Sequence, residues 1–348
     1  MSEVSVGNHI IRRANKSDIP FIMDFLDRYW EKACILSRDR AYFEYEFVVD
    51  DKVNFVVAVH KETGAIEATQ AYIQCSKKPL HDGFSGAWVC KPRCGTKFLG
   101  ITLNRIMPDF LDTRKLVGVG FTAKGESVAS RLFKPGDIAK LAHYYRLAKR
   151  DRYSIAHVVR AKYAECETES NKKLIPIPTI EHLKAWFDFD TLPDVPMYKD
   201  LWYVEHRYYN HPYYRFNIWG IEETPGKIEG LLVGRTVKYN GSACLRIMDL
   251  FGPDSIIDGI GPELDRIMHA GDMEYVDFYC AEIPQENMQN AGFVLKDVDD
   301  ENIIPNHFEP YERKNIDIIY SGAGLKATKG DGDQGRPKRL RLPCEWRN

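Results

Sequence analysis

Gly86-Ala87-Trp88-Val89-Cys90-Lys91-Pro92-Arg93-Cys94-Gly95-Thr96-Lys97-Phe98-Leu99-Gly100-Ile101-Thr102-Leu103 decides how this chain is read. An apolar strand runs into a basic, glycine-containing loop, and the loop opens an amphipathic helix. That order builds an anion site. The first N–H groups of a helix have no intrahelical acceptor, and the positive end of the helix dipole adds to their pull on a phosphate or pyrophosphate. A dinucleotide site is disfavoured, since no G-x-G-x-x-G follows a strand and no acidic residue is placed for a ribose. A strand-to-helix turn with solvated basic residues and no ligand is the plain alternative.

The chain has 348 residues, long enough for two domains with full cores. Hydrophobic content of 44% and aromatic content of 12% belong to a globular protein, not a disordered one. A net charge of −2 points to neither nucleic acid nor an acidic membrane as partner. Residues 1–13 lack the apolar core of a signal peptide, and no run approaches the length of a membrane span. A cytoplasmic protein without membrane insertion is expected. Eight cysteines without a C-x-x-C pair read as free thiols. Cys90 and Cys94 stand four apart with no histidine near them, a poor zinc site, and no metal is expected.

Upstream of the loop, residues 9–13 alternate as a short strand. Asn15 or Ser17 caps a helix over 18–30 with Ile19, Ile22, Met23, Leu26 and Trp30 on one face. Ser37 caps a second helix over 38–48, and strands over 54–60 and 65–75 are joined by Glu62-Thr63-Gly64. The loop's own helix spans 100–111, followed by a strand at 116–121, a helix at 126–133 and final strands at 138–148 and 155–165. A polar, then proline-rich segment over 165–178 reads as a linker. The pattern then recurs, with helices over 179–187 and 199–208 and strands over 213–222, 228–239 and 243–251. A loop leads into a helix ending at His269, then a strand over 275–280, a helix over 285–290 and a strand over 316–320.

This order of elements, around a loop that keeps Arg93, Gly95 and Gly100, resembles the GNAT acyltransferase superfamily, with Lys97 near a usual glycine and one residue inserted. The resemblance implies an α/β (α+β) fold of two tandem GNAT-like domains, each a mixed, mostly antiparallel sheet flanked by helices. Ala291-Gly292-Phe293 after the late helix is similar to the Leu-Gly-Phe of that family. The expected divisions are a coenzyme-binding domain at 1–166, a linker at 167–178, an acceptor-binding domain at 179–322 and a tail at 323–348 packed near the interface. In the family, the fourth strand and its loop hold the pyrophosphate of acyl-coenzyme A. That implicates Trp88, Val89, Arg93, Gly95, Thr96, Phe98, Leu99, Gly100 and Ile101, with acetyl-CoA or another acyl-CoA as cofactor. The matching loop of the second half, 251–262, carries Asp254 and Asp258 and no basic residue, which repels a pyrophosphate. One coenzyme site is expected.

Acyl transfer to an amine needs a polarised thioester carbonyl, a neutral amine and a proton for the leaving thiol. The family often draws that proton from a tyrosine of the late helix, but here the helix reads Ser130-Arg131-Leu132-Phe133. The donor is expected among His143, Tyr144, Tyr145, water or a group of the second domain. The densest polar and aromatic cluster is EHRYYNHPYYR over 205–215. Arg235, Arg246 and Asp249 interrupt apolar strands. Arg246 and Asp249 are three apart and are expected on opposite faces, one of them inward. Ionisable groups aimed into a cleft are costly and often functional. Asp249 is expected as the base for the acceptor amine, with His211 as its substitute, and Tyr213, Arg235 and Arg246 as acceptor contacts. Tyr213, Tyr214 and Trp219 offer faces for a sugar ring.

Ile35-Leu36-Ser37-Arg38, Asn210-His211-Pro212-Tyr213-Tyr214, Ile247-Met248-Asp249-Leu250-Phe251-Gly252, Phe308-Glu309-Pro310 and Asp331-Gly332-Asp333-Gln334-Gly335-Arg336-Pro337 resemble a group of tandem GNAT proteins that occur with polysaccharide-biosynthesis enzymes. The resemblance implies N-acylation, N-acetylation first, of an amino sugar or nucleotide sugar in surface-polysaccharide biosynthesis. It adds Asp331 and Arg336 to the acceptor contacts. A Fem-type aminoacyl-tRNA-dependent transferase, also tandem GNAT, would call for a basic surface or a coiled-coil arm, which the near-neutral charge does not offer. A non-catalytic GNAT-fold binding protein is a third reading, supported by Phe133 in the donor position. The tail's basic run over 338–341 is followed by Pro343, Cys344 and Trp346, and an ordered tail is expected. The oligomeric state stays open.

Overall fold

Runs of β-branched, aromatic and small residues between 55 and 90 form the centre of the first sheet, where both faces are covered and alternation gives way to near-continuous burial. The computed structural model describes residues 3–121, 127, 130, 134 and 136–332. Strands β1 (Glu3–Val6), β2 (His9–Arg13), β3 (Phe55–His60), β4 (Ile66–Gln74), β5 (His81–Cys90) and β6 (Thr113–Gly118) hydrogen-bond in that order. Only β5 and β6 run parallel.

Helix α1 (Ile19–Tyr29) follows a capping box in which Asn15 accepts from Ser17 N–H and Asp18 accepts from Asn15 N–H. Ile19, Ile22, Phe25 and Leu26 bury one side of it. The next helix, α2 (Arg40–Phe47), is capped by Asp39, not Ser37, whose hydroxyl donates to Asp27. On the other face of the sheet, α3 (Leu99–Ile106) packs Leu99 and Leu103 against Val56, Ala58 and Tyr72.

Apart from two short hairpins at 48–53 and 307–312, the further strands are β7 (Ile138–Lys140), β8 (Ala142–Leu147), β9 (Lys173–Pro176), β10 (Asn217–Glu222), β11 (Ile228–Tyr239), β12 (Ser242–Phe251), β13 (Met273–Ala281), β14 (Val294–Leu295), β15 (Ile319–Ser321) and β16 (Ala327–Thr328). The second sheet has the order β9-β10-β11-β12-β13-β8-β14, with β16 on β13, and its parallel pair is β12 and β13. Helices α4 (Ile180–Trp186), α5 (Gly261–Ala270) and α6 (Gln285–Asn290) accompany it. Each half is thus a mixed, mostly antiparallel sheet with helices around it, as the resemblance implies.

Several elements depart from the sequence reading. Residues 155–165 form no strand, and the proline-rich 167–178 segment is not a bare linker, because β9 lies within it and opens the second sheet. The 199–208 helix is one α-turn, Leu201–Val204, continued by the π-helical Glu205–Tyr209. Of the helix expected over 126–133, Ser127 and Ser130 are described and are helical, while Phe133 lies outside the described residues.

The largest departure is an exchange of strands between the halves. β8, expected to finish the first sheet, instead pairs with β13 on one edge and β14 on the other, inside the second. In return β15, from the far end of the chain, pairs with β7 and bridges to the end of β6 through Val119 and Tyr320. Gly120 N–H donates to Ile319 O at 2.8 Å, and Gly118 N–H to Ser321 Oγ at 2.9 Å. Alternation marks β8 as a strand but carries no information about its partner. A single core runs through both halves, joining Phe25, Phe84 and Val119 to Tyr208, Met248 and Phe251.

Because each half supplies a strand to the other, neither 1–166 nor 167–348 is expected to unfold cooperatively alone, whereas mixing the two fragments restores a single denaturant transition. A cooperative transition from the 1–166 fragment by itself would overturn the exchange.

Candidate functional site

At the end of β5 the chain turns through Arg93, Gly95 and Phe98, all at positive φ, before α3 begins. Gly95 takes that conformation at little cost, having no Cβ. Phe98 holds it as a large residue 72% exposed. The N-cap of α3, Phe98, makes no side-chain hydrogen bond, so the N–H groups of the first turn have no side-chain cap. A cleft of about 710 Å³ lies over this turn. Trp88, Val89, Arg93, Gly95, Thr96, Phe98, Leu99, Gly100 and Ile101 all line it, joined by Tyr29 and Trp30 from the end of α1.

The loop is tied down from behind. Thr96 Oγ1 accepts from Asn8 N–H at 3.3 Å and meets His9 Nδ1 at 3.0 Å, while Glu67 binds His9 Nε2 at 2.9 Å and Lys91 Nζ at 2.6 Å. Burial pushes the Glu67 carboxyl up, but Lys91 and His9 outweigh it and hold it below its usual value. Lys91 is therefore already answered, and Thr96 anchors the loop to β2. Arg93 and Lys97 stand exposed beside the helix start. Trp88 Nε1 donates to Gly100 O at 2.8 Å, locking the strand to the first turn of the helix.

Beside the cleft the sheet opens. The parallel ladder of β5 and β6 ends at Ser85 and Gly118, so residues 86–90 continue with a strand partner on one edge only. Ala87, at φ 42°, sits in a bulge opposite the Thr69 to Ala71 register shift, and its carbonyl accepts from Thr69 Oγ1. Just past β6, Gly120 and Phe121 join Tyr214, Arg235, Phe308 and Lys329 around a smaller cleft of about 120 Å³.

The second sheet opens likewise between β12 and β13, past Ile247 and Phe278, but here the chain fills the gap itself. β16 pairs with Cys280 and Ala281 there, Thr328 Oγ1 donates to Met248 O at 2.7 Å, and a Cβ on Gly330 would meet Met248 O at 2.5 Å. The loop ahead of α5 is covered too: a Cβ on Gly261 would fall 1.9 Å from Glu167 Oε1, and one on Gly259 2.3 Å from Ser170 Cβ. A carboxylate thus lies where a phosphate would approach. Asp254 pairs with Lys326, and Asp258 accepts from Asn287 and Asn290.

The expected acceptor and catalytic residues are distributed more widely. A bulge at Met248 places Val233 opposite Asp249 and Gly234 opposite Ile247. It sets Arg246 and Asp249 on the same face, not on opposite ones, and both are buried. Arg246 is spent internally: its guanidinium pairs with Asp277 at 2.9 Å and donates to the carbonyls of Pro305 and Asn306. Asp249 accepts from Lys199 and Tyr208, each at 2.7 Å, and burial pushes its carboxyl up against the pull of Lys199. Asp331 is the second partner of Lys199, at 2.7 Å, and also accepts from Tyr203 and from Thr328 N–H.

His211 is buried, and its Nδ1 accepts from the Tyr213 and Tyr214 N–H groups, which shapes the 210–214 turn. Tyr213 donates to Asp39 across the halves. Tyr144 lies in the second sheet's core, its hydroxyl pushed up to about 12 by burial, and Trp219 packs in the same core. Of the expected acceptor set, Arg235 lines the smaller cleft, stacked 3.9 Å from the Tyr214 ring. Arg336 lies outside the described residues.

Sequence reasoning missed Lys199, Glu46 and Asp277, and it noted Arg207 only as part of the 205–215 cluster. Arg207 pairs with Glu46 at 2.8 Å, joining the halves through a buried contact. Lone charges in aromatic surroundings were the available signal, but each partner lies far off in the chain. Asp277 also faces His143 Nε2 at 3.4 Å, and burial lowers the His143 pKa against the pull of Asp277.

No family model and no curated protein matches the chain. Among solved structures, it is similar to a GCN5-related N-acetyltransferase from Anabaena variabilis ATCC 29413, at 11% identity and TM-score 0.47, covering 89% of this chain and 71% of that one. A GCN5-related N-acetyltransferase from Sphaerobacter thermophilus gives 12% identity and TM-score 0.39, with 91% of this chain and 97% of that one covered. A putative acetyltransferase from Pyrococcus horikoshii gives 10% and 0.41, with 92% and 91% covered.

Burial pushes Asp277 up, but Arg246 and His143 together bring it from 3.8 down to about 2. A depressed carboxyl stabilises the fold above its unfolded value, and that contribution is lost as pH falls from 3.8 through about 2. Asp277→Asn is expected to cost about 3–5 kcal/mol at pH 7, because Arg246 is left buried and unpaired. The gap from wild type should narrow towards pH 2, as read by urea denaturation across pH. A constant gap would remove Asp277 from the acid response.

Proposed function

We propose that the chain is an acyl-CoA-dependent N-acyltransferase, N-acetylation first, with coenzyme on the first half and an amine acceptor between the halves. The observation that carries this reading is the juxtaposition of an uncapped helix start, Arg93 and Lys97 beside it, and a sheet edge that opens at residues 86–90. The donor set fits a pyrophosphate: the N–H groups of Leu99, Gly100 and Ile101 supply neutral hydrogen bonds, and Arg93 and Lys97 supply charge. Trp30 and Trp88 add apolar surface along the same cleft. When bound, the coenzyme supplies the thioester from which the acyl group passes to an amine. The chain's part is to hold that thioester against the opened strand, where the bulge at Ala87 re-aims the backbone, and to exclude water by packing the second half over the same face.

The acceptor in this reading is an amino sugar, in particular a nucleotide-linked one, whose sugar ring enters the cleft that Phe121, Tyr214, Arg235 and Lys329 line while the nucleotide stays outside its roughly 120 Å³. Aromatic faces suit a sugar ring, and the two cations suit its phosphates. Residues 1–166 then carry the coenzyme and the second half the acceptor contacts, with Arg336 of the tail among them. Asp249 is a poor candidate for a free base, because protonating its Oδ2 means displacing the Lys199 ammonium. Its role in this reading is to position Tyr208 and Lys199.

Calorimetry is expected to give one acetyl-CoA per chain, since the second opening is filled by β16 and its helix start faces Glu167. At a hundredfold excess over Kd the ligand should raise stability by about 2.7 kcal/mol. Reversing both charges, Arg93→Glu with Lys97→Glu, should weaken binding by roughly tenfold or more, with the loss shrinking as salt rises. Two bound molecules, or no binding by the wild type, would overturn the reading.

A further inference from the structure

Cys90 and Cys94 flank the loop that leads into α3, and their sulfurs lie 4.0 Å apart. Both are half-buried free thiols, while Cys34, Cys75, Cys244 and Cys280 are buried elsewhere in the fold. Cys90 backs the first turn of α3, since a Cβ on Gly100 would stand 3.0 Å from Cys90 Cβ. Cys94 Sγ points back at Thr96 O, 3.5 Å away. A disulfide needs its sulfurs at about 2.05 Å, so the pair lies one loop adjustment from bonding. Between the two cysteines Pro92 and Arg93 are exposed, so the loop can shift there against the hold of Thr96 on Asn8 and His9.

We infer that Cys90 and Cys94 are a reversible oxidation site that a small anionic disulfide, of the glutathione class, converts to an intra-loop disulfide, and that this bond closes the anion site at the start of α3. The closing of the site rests on the functional reading above; the bond itself does not. Cys94 thiolate attacks one sulfur of oxidised glutathione and releases a glutathione thiolate, leaving a mixed disulfide. Cys90 then gives its proton to water and displaces the second glutathione, forming the Cys90–Cys94 bond. The two cysteines lose two electrons in total, and one glutathione disulfide becomes two thiols. Burial and the neighbouring Cys94 push the Cys90 thiol up to about 11, so Cys90 is little ionised and follows Cys94, acting only once the mixed disulfide stands beside it. Arg93 and Lys97 draw the carboxylates of the oxidant to the loop by the same attraction that suits a pyrophosphate. Drawing Cys94 towards Cys90 displaces Gly95 and Thr96 from the start of α3, parting the loop from the helix N–H groups it accompanies.

The test treats the full-length protein with oxidised glutathione and follows it by intact mass, peptide mapping and hydrogen exchange. The expected result is a Cys90–Cys94 cross-link with loss of two hydrogens, faster exchange of the amides over 95–101, and full reversal by dithiothreitol. Acetyl-CoA affinity should fall by roughly tenfold on oxidation, within the usual range of coupling between sites. By reciprocity, saturating acetyl-CoA should raise the midpoint potential of the pair by about 30 mV, the two-electron equivalent of that factor. Cys94→Ser should form no cross-link, and its affinity should not respond to the oxidant. Absence of the cross-link, or a cross-link that leaves amide exchange over 95–101 unchanged, overturns the proposal. If the reduced protein binds no acetyl-CoA, the functional reading fails, and the mass and exchange results still decide the switch.

Discussion

Where two parallel strands part, the backbone groups that face the gap lose their ladder, and each must find another partner. This constraint arises twice in the molecule, between β5 and β6 and between β12 and β13, and it is met in two different ways. In the second sheet the chain inserts its own β16, and Thr328 and Gly330 close on Met248 O. In the first sheet residues 86–90 are left with one strand partner, beside a helix start with no cap. The two halves share one plan and differ in whether the chain itself fills the opening or leaves it open.

The exchange of β8 and β15 follows from the same plan. Each sheet widens past its parallel pair and needs a further strand beyond it. β15 answers β6, and β8 answers β13. The two sheets consequently cannot be pulled apart without breaking both, and the apolar core between them is continuous. This frames the cleft lined by Phe121, Tyr214 and Arg235, since Gly120 at the end of β6 is held by Ile319 from the opposite end of the chain.

Buried charge fixes the alignment of that frame. Arg207 with Glu46, and Lys199 between Asp249 and Asp331, are satisfied by partners from distant segments. Such pairs add little net stability, because desolvation offsets most of the attraction, but removing one partner is expensive. Asp82 accepts from Met197 N–H, and Lys77 N–H donates to Asp200, so the segment over 197–200 is pinned to the first sheet through polar contacts as well as apolar ones. These groups define one docking arrangement of the halves.

Local chemistry was legible in the residues themselves. The Asn15 cap, the amphipathic faces of α1 and α3, the Glu62-Thr63-Gly64 turn and the strand–loop–helix over 86–103 depend on neighbours within a few positions, and each formed where its residues stand. The residues expected around a pyrophosphate meet in one cleft for the same reason: they are consecutive. Pairing was not legible. Nothing in the alternation of Ala142–Leu147 says which sheet it joins, and one bulge at Met248 was enough to bring Arg246 and Asp249 to the same face. Whether a charge is spent on a partner or left for a ligand is a long-range property too. Arg246 reads like a binding residue until Asp277 and the Pro305 and Asn306 carbonyls surround it. Sequence by itself determined most of the strands and helices and the strand–turn–helix over 86–103, because those depend on short-range hydrogen bonding and side-chain period. The tertiary structure alone decided which strand completes which sheet and which opening stays empty, because backbone ladders pair any extended segment and only the packing of the whole chain selects among them.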